Sequence, residues 1–116
     1  MPPRRSPTLT PITFHLLLSL TREPMHGYGL KHGVEERTGG GLRVTPGTLY
    51  AGLQRMEREG LIRETKAPVS RAEEAGTRWR FYAITPVGRR RLEEEVARME
   101  RDVRAARALL PRAEGA

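Results

Sequence analysis

Val44-Thr45-Pro46-Gly47-Thr48-Leu49-Tyr50-Ala51-Gly52-Leu53-Gln54-Arg55-Met56-Glu57-Arg58-Glu59-Gly60-Leu61-Ile62 reads as a helix with both ends written into it, followed by the start of a strand. The Thr45 hydroxyl suits an N-cap, and Pro46 suits the first helical position, where no N–H is needed. Gly60 can turn left-handed past the C-terminus without a Cβ penalty. Leu49, Leu53 and Met56 recur at four- and three-residue spacing and share one face, while Thr48, Gln54, Arg55 and Arg58 occupy the rest of the surface. A short helix with an apolar back and an Arg/Gln/Thr front suits a DNA major groove, where Arg pairs with guanine edges and Gln with adenine. An ordinary solvated helix looks the same, and the segment alone does not separate the two.

Composition shifts the balance. The 116 residues suit a single domain with one modest core. Lys plus Arg number 21 against 14 Asp plus Glu, a net charge of +7, which favours a polyanionic partner, either nucleic acid or an acidic membrane surface. Lys occurs only at Lys31 and Lys66, so nearly all the cations are Arg; that fits bidentate phosphate and base recognition, and equally fits a GC-rich coding bias. Cysteine is absent, which removes disulfides, zinc fingers, thiol catalysis and iron–sulfur chemistry together and fits a reducing cytosol. Arg4 and Arg5 precede the apolar run Ile12 to Leu20 as in a signal peptide. Pro11, Thr13, His15 and Ser19 interrupt it, and no small-x-small cleavage site follows. No stretch reaches the ~18 apolar residues of a membrane span. The expectation is a cytoplasmic protein with no membrane partner.

Working outward, residues 1–9 are Pro-, Arg- and Ser-rich and read as a disordered basic arm. Thr10-Pro11 repeats the Thr-Pro start signal and opens a helix to about Leu20, with Ile12, Leu16, Leu17 and Leu20 on a wide apolar face. Thr21-Arg22-Glu23-Pro24 ends it. A second helix fits Tyr28 to Thr38 and is closed by Gly39-Gly40-Gly41. Beyond the third helix, Leu61 to Lys66 and Thr77 to Ile84 read as two strands, joined by a polar loop over residues 67–76. Thr85-Pro86 gives the start signal again. Only Gly88 interrupts the pattern before Pro111, which predicts a helix about 35 Å long. Along it Leu92, Val96, Met99, Val103, Ala106 and Leu110 recur at 4-3-4-3-4 spacing, a coiled-coil type of seam flanked by Glu94/Arg98 and Glu100/Arg104 pairs. A helix packing on its own domain is the plainer reading. A homodimer through this seam and the first helix is the sharper one.

The fold class is therefore mostly α with a small β-hairpin: a winged helix-turn-helix domain over residues 10–85, a C-terminal dimerisation helix over 86–110 and a disordered tail over 111–116. In such a fold the third helix enters the major groove and the wing reaches the flanking backbone. His26-Gly27-Tyr28-Gly29-Leu30, Glu35-Glu36-Arg37-Thr38-Gly39-Gly40, Thr45-Pro46-Gly47-Thr48-Leu49-Tyr50, Leu53 to Ile62, and Phe81-Tyr82-Ala83-Ile84-Thr85-Pro86-Val87-Gly88 together resemble the signature blocks of PadR-family transcriptional regulators. The resemblance runs from about residue 12 to 110, and five blocks in order are far more specific than any one. It implies membership of the smaller subfamily with a single C-terminal helix, whose members are homodimers that repress promoters and release DNA on binding a small effector. It also implies that Tyr50 and the exposed side of residues 46–58 face DNA and that the last helix makes the dimer. Where the family often carries Gly-Arg entering the second wing strand, this chain has Gly76-Thr77, with Arg78 and Arg80 flanking an atypical Trp79.

Competing chemistries are weak. Gly27-Tyr28-Gly29-Leu30-Lys31-His32-Gly33 lacks the spacing and the strand–helix–strand setting of a dinucleotide fingerprint, and Gly39-Gly40-Gly41 lacks the Gly-Lys-Ser/Thr of a phosphate loop. His15, His26 and His32 have no acid at metal-motif spacing, and Glu93-Glu94-Glu95 and Glu73-Glu74 read as solvated faces. No serine sits in a nucleophile elbow. No cofactor, metal or enzymatic activity is implied. Trp79 reads as packing at the wing base, and Tyr28 and Phe14 as aromatic candidates for an effector site.

The leading expectation is a dimeric, sequence-specific regulator on a palindromic operator in double-stranded DNA, probing the groove with Thr48, Tyr50, Gln54, Arg55 and Arg58 and the backbone with Arg71, Arg78 and Arg80. The alternative is a winged-helix protein-interaction module without specific DNA binding. The Gln/Arg front of the third helix and the basic net charge favour DNA.

Overall fold

The structure is a computed structural model that describes residues 8–74 and 79–110. Helices α1 (Pro11–Ser19), α2 (Gly27–Arg37) and α3 (Pro46–Arg58) surround one core, and α4 (Pro86–Leu109) runs out from it. Strands β1 (Met25–His26), β2 (Ile62–Thr65) and β3 (Phe81–Ile84) form an antiparallel sheet with β3 in the middle, and a 3-10 segment, Val69–Glu74, lies in the wing.

Each expected cap is made. Thr10, Thr45 and Thr85 accept through their hydroxyls from the N–H groups of Thr13, Thr48 and Gly88, with Pro at the next position in every case. Past α3, Gly60 adopts φ +76°; its N–H donates to the Glu57 carbonyl and that of Leu61 to the Met56 carbonyl. This is a Schellman ending. Past α2, Gly39 N–H bonds Glu36 and Gly40 N–H bonds Glu35 in the same way.

The core is built from Leu16, Leu17 and Leu20 of α1 and its cap, Leu30 and Val34 of α2, and Leu49, Leu53 and Met56 of α3, closed by Leu61 and Leu92. Three differences from the sequence reading have physical causes. The sheet has a third strand, because Met25 and His26 pair with Tyr82 and Phe81; two residues are too few to show a period, and Pro24 reads as a stop. The second wing strand begins at Phe81, so Trp79 and Arg80 precede it. Leu9, assigned to a disordered arm, is buried, and its N–H donates to Glu95, assigned to a solvated face but only 6% exposed. The remainder of the arm up to Pro7, Arg78 and the tail over 111–116 lie outside the described residues. Among the described residues no helix is long and apolar enough to cross a membrane.

Candidate nucleic-acid interface

The amphipathic pattern of α3 sets its orientation: Leu49, Leu53 and Met56 are buried, and Thr48, Tyr50, Gln54, Arg55 and Arg58 are all exposed. At about 100° per residue those five spread over more than one flank. Tyr50 and Gln54 lie on the flank facing the sheet, where they line a cavity of about 350 Å³ with Gly27, Tyr28, Trp79 and Tyr82. Arg55 lies on the other flank, lining a recess with Thr8, Thr10 and Arg91. Arg58 is exposed on the last turn. The Thr48 hydroxyl accepts from that of Thr45 at 2.9 Å and so belongs to the cap as well as to the exposed face. Glu57, which the sequence reading passed over, shares the sheet-side cavity with Gln54. Its spacing from Tyr50 and Gln54, seven and three residues, is the signal that places it there.

The wing residues differ from one another. Arg80 is exposed, with its Nε 3.7 Å from Glu64 Oε1 across the β2–β3 pair. Arg71 is half-buried and its Nε lies 3.7 Å from Glu23 Oε1, while the Ser70 hydroxyl donates to the other oxygen of the same carboxylate. Glu23, in the connection between α1 and β1, thus fastens the 3-10 segment to the body of the domain.

Aromatic rings gather where the wing meets α2. The rings of His26 and Trp79 lie 4.2 Å apart, and Tyr28 stacks near-parallel to Trp79 at 6.4 Å. His26 caps α2: its Nδ1 accepts from the Gly29 N–H at 3.0 Å, which places the proton of the neutral ring on Nε2. Sequence patterns for N-caps favour Ser, Thr, Asp and Asn, so a capping imidazole carries no such signal. Gly27 sits against α3: a Cβ there would stand 3.3 Å from Leu49 Cδ2 and touch the Tyr50 hydroxyl at 3.5 Å. Burial holds the Tyr82 phenol above its ordinary pKa, with Glu57 adding to the effect.

The seam on α4 divides. Leu92 is buried in the chain's own core, whereas Val96, Met99, Val103, Ala106 and Leu110 are exposed, and so is every residue from Met99 to Leu110. Phe14 of α1 joins Val96, Met99 and Val103 around a second, apolar cavity of about 450 Å³. Elsewhere His15 is pulled below its ordinary pKa by burial and by the Arg37 guanidinium. Among the described residues no cluster of His, Asp and Glu could hold a metal ion.

Three helices on a small sheet, with a basic and polar helix held against the base of a β-wing, define a winged-helix domain. The profile of the transcriptional regulator PadR-like family matches residues 16–94, and the chain belongs to that family. It is 34% identical over 89 residues to transcriptional regulator Rv3488 of Mycobacterium tuberculosis, covering 77% of this chain and 76% of that one. It is also 37% identical over 86 residues to an uncharacterized 37.1 kDa protein in a transposon of Streptomyces fradiae, covering 74% of this chain but only 22% of the relative. Among solved structures it resembles a PadR-like transcriptional regulator from Bacillus cereus, with TM-score 0.70 and 26% identity over 87% of this chain and 92% of that one. The same fold recurs in Bacillus subtilis PadR in complex with operator DNA, with TM-score 0.61 and 19% identity over 90% of this chain and 51% of that one.

Proposed function

We propose that the chain is a dimeric, sequence-specific DNA-binding regulator that represses its promoters and is released by a small molecule. The observation that carries this reading is the exposed Tyr50, Gln54, Arg55 and Arg58 on a helix whose opposite side is locked into the core and whose two ends are both capped. A helix held in this way presents Arg and Gln to base edges with no backbone ordering cost at the moment of binding. The net charge of +7 supplies the sequence-independent attraction to phosphates. The operator complex of the Bacillus subtilis protein supports the same use of the fold.

The exposed seam of α4 supports dimerisation. Val96, Met99, Val103 and Leu110 are between 39% and 67% exposed in the single chain, and a second copy laid on α1 and α4 would cover them. The two α3 helices would then meet successive turns of a palindromic site, about 34 Å apart. The apolar cavity beside Phe14 opens on that face and is the place for the releasing effector.

Sedimentation at micromolar concentration, together with footprinting on the chain's own promoter, tests the reading. A dimer and a protected palindrome are expected. Replacing Gln54, Arg55 and Arg58 together by Ala should abolish protection in a folded protein, and full operator affinity in that variant would favour the protein-interaction alternative.

A further inference from the structure

We infer that the cavity between α3, the start of α2 and the approach to β3 is a binding site for a small organic cation, and that filling it excludes DNA from α3. The exclusion rests on the DNA reading proposed above; the binding does not. The cavity, at about 350 Å³, falls within the usual range for small-ligand sites. Its walls carry the rings of Tyr28, Tyr50, Trp79 and Tyr82, and the first three remain 59%, 55% and 48% exposed. Large rings left half in water around one hollow offer faces, and the face of an aromatic ring carries partial negative charge. The missing side chain of Gly27 leaves the end of the hollow beside Tyr50 open.

The charges favour a cation. Arg80 also lines the cavity and opposes Glu57 at the Tyr82 phenol, but its Nε lies 3.7 Å from Glu64, whose carboxylate offsets part of its charge. Glu57 has no ion pair with any other described residue, and its carboxylate acts on Tyr82 strongly enough to help raise the phenol pKa. On a chain of net charge +7, this hollow therefore combines ring faces with a carboxylate that forms no ion pair with any described residue, and Glu57 and Glu64 together outnumber Arg80 there. That combination attracts an ammonium or a delocalised cation and repels a carboxylate or phosphate ester. Since Tyr50 and Gln54 line the cavity and also belong to the face proposed for the groove, a molecule seated there occupies space that DNA needs.

Trp79 is the only tryptophan in the chain, so its emission reports on this cavity directly. Benzyltrimethylammonium, which has a quaternary charge and one ring and does not intercalate, is titrated into the full chain without DNA. A saturable change in Trp79 emission is expected. Glu57→Gln, at an exposed position, and Tyr28→Ala should each weaken it on the order of tenfold with circular dichroism unchanged, and benzyl alcohol should bind the wild type more weakly by a similar factor. A linear, non-saturating response, or saturation that is the same in Glu57→Gln as in the wild type, overturns the site. Should Tyr28→Ala fail to fold, Glu57→Gln decides alone. With footprinted DNA present, more probe should be needed to reach half-saturation; simultaneous binding without competition overturns the exclusion. A chain that binds the probe and no DNA refutes the DNA reading and leaves the cation site standing.

Discussion

The backbone N–H of Leu9 donates to the carboxylate of Glu95 at 3.1 Å, joining residues 86 positions apart, and the same oxygen accepts from Arg98 at 3.1 Å. A carboxylate 6% exposed is tolerable only because both bonds are made. Replacing Glu95 with Ala leaves the Leu9 N–H without its acceptor and should cost about 1–3 kcal/mol. Urea unfolding of the wild type and the variant checks this, and a midpoint unchanged between them would show that the Leu9–Glu95 bond contributes nothing to stability.

Two glycines make opposite predictions. A Cβ on Gly88 would stand 2.1 Å from the Leu61 carbonyl oxygen, while one on Gly47 would meet nothing within 4 Å. Gly88→Ala must push α4 away from β2 and should cost about 1–3 kcal/mol. Gly47→Ala should stabilise the protein by roughly 0.5–1 kcal/mol, because it removes backbone freedom from the unfolded chain inside a helix. Thermal unfolding of both variants should move Tm in opposite directions.

The seam separates into two kinds of residue. Leu92→Ala, inside the core, should lower subunit stability by about 2–5 kcal/mol at every protein concentration. Val103→Glu, at a position 51% exposed, should leave the subunit folded and shift sedimentation toward monomer. If Val103→Glu stays folded and sediments as the wild type does, the exposed seam is not an interface between copies.

His15 carries a pH prediction. Its folded pKa lies below the ordinary value of 6.5, so above that pH the ring is neutral in both states and the stability is complete. As pH falls below 6.5 the unfolded chain takes up the proton first, and stability declines until the folded pKa is passed. His15→Asn should flatten this part of the stability profile, measured by urea unfolding between pH 7.5 and pH 5. An identical slope in both proteins would assign the decline to other groups.

Arg80 should contribute affinity without sequence choice. Arg80→Ala should weaken binding to operator and random DNA alike and reduce the steepness of the salt dependence, since one phosphate contact is lost. A loss confined to the operator would mean that the wing reads bases.

The starts of α1, α3 and α4 and the glycine ends of α2 and α3 were legible in the sequence, because Thr-Pro and a following Gly act locally and their hydrogen bonds form within a single turn, whereas the His26 cap of α2 was not. The winged-helix class followed from the order of those elements, and the PadR family from the resemblance of five sequence blocks to its signatures. What stayed hidden was set by partners distant in the chain. Met25 and His26 become a strand only because β3 is beside them, and Glu95 is buried only because Leu9 returns to it. The sheet-side cavity was hidden for the same reason: Tyr28, Tyr50, Glu57 and Trp79 come from separate segments, and no single periodicity contains them. The division of α3 into a flank toward the wing and a flank toward Arg91 depends on what each side packs against.

The start of α4 is fastened to the end of α3. The Thr85 hydroxyl donates to the Gly60 carbonyl at 2.6 Å, its N–H donates to the Leu61 carbonyl at 3.0 Å, and Arg89 reaches the Thr21 carbonyl at 3.0 Å. In the proposed dimer this makes the angular phase along α4, between Thr85 and Val96, the element that aims one reading helix relative to the other. One residue inserted there turns the partner by about 100° and misaligns the pair on any palindrome, whereas four residues bring it back to within about 40°. The operator spacing such a dimer recognises would thus be encoded in the helical register between Thr85 and Val96, outside the reading helix itself.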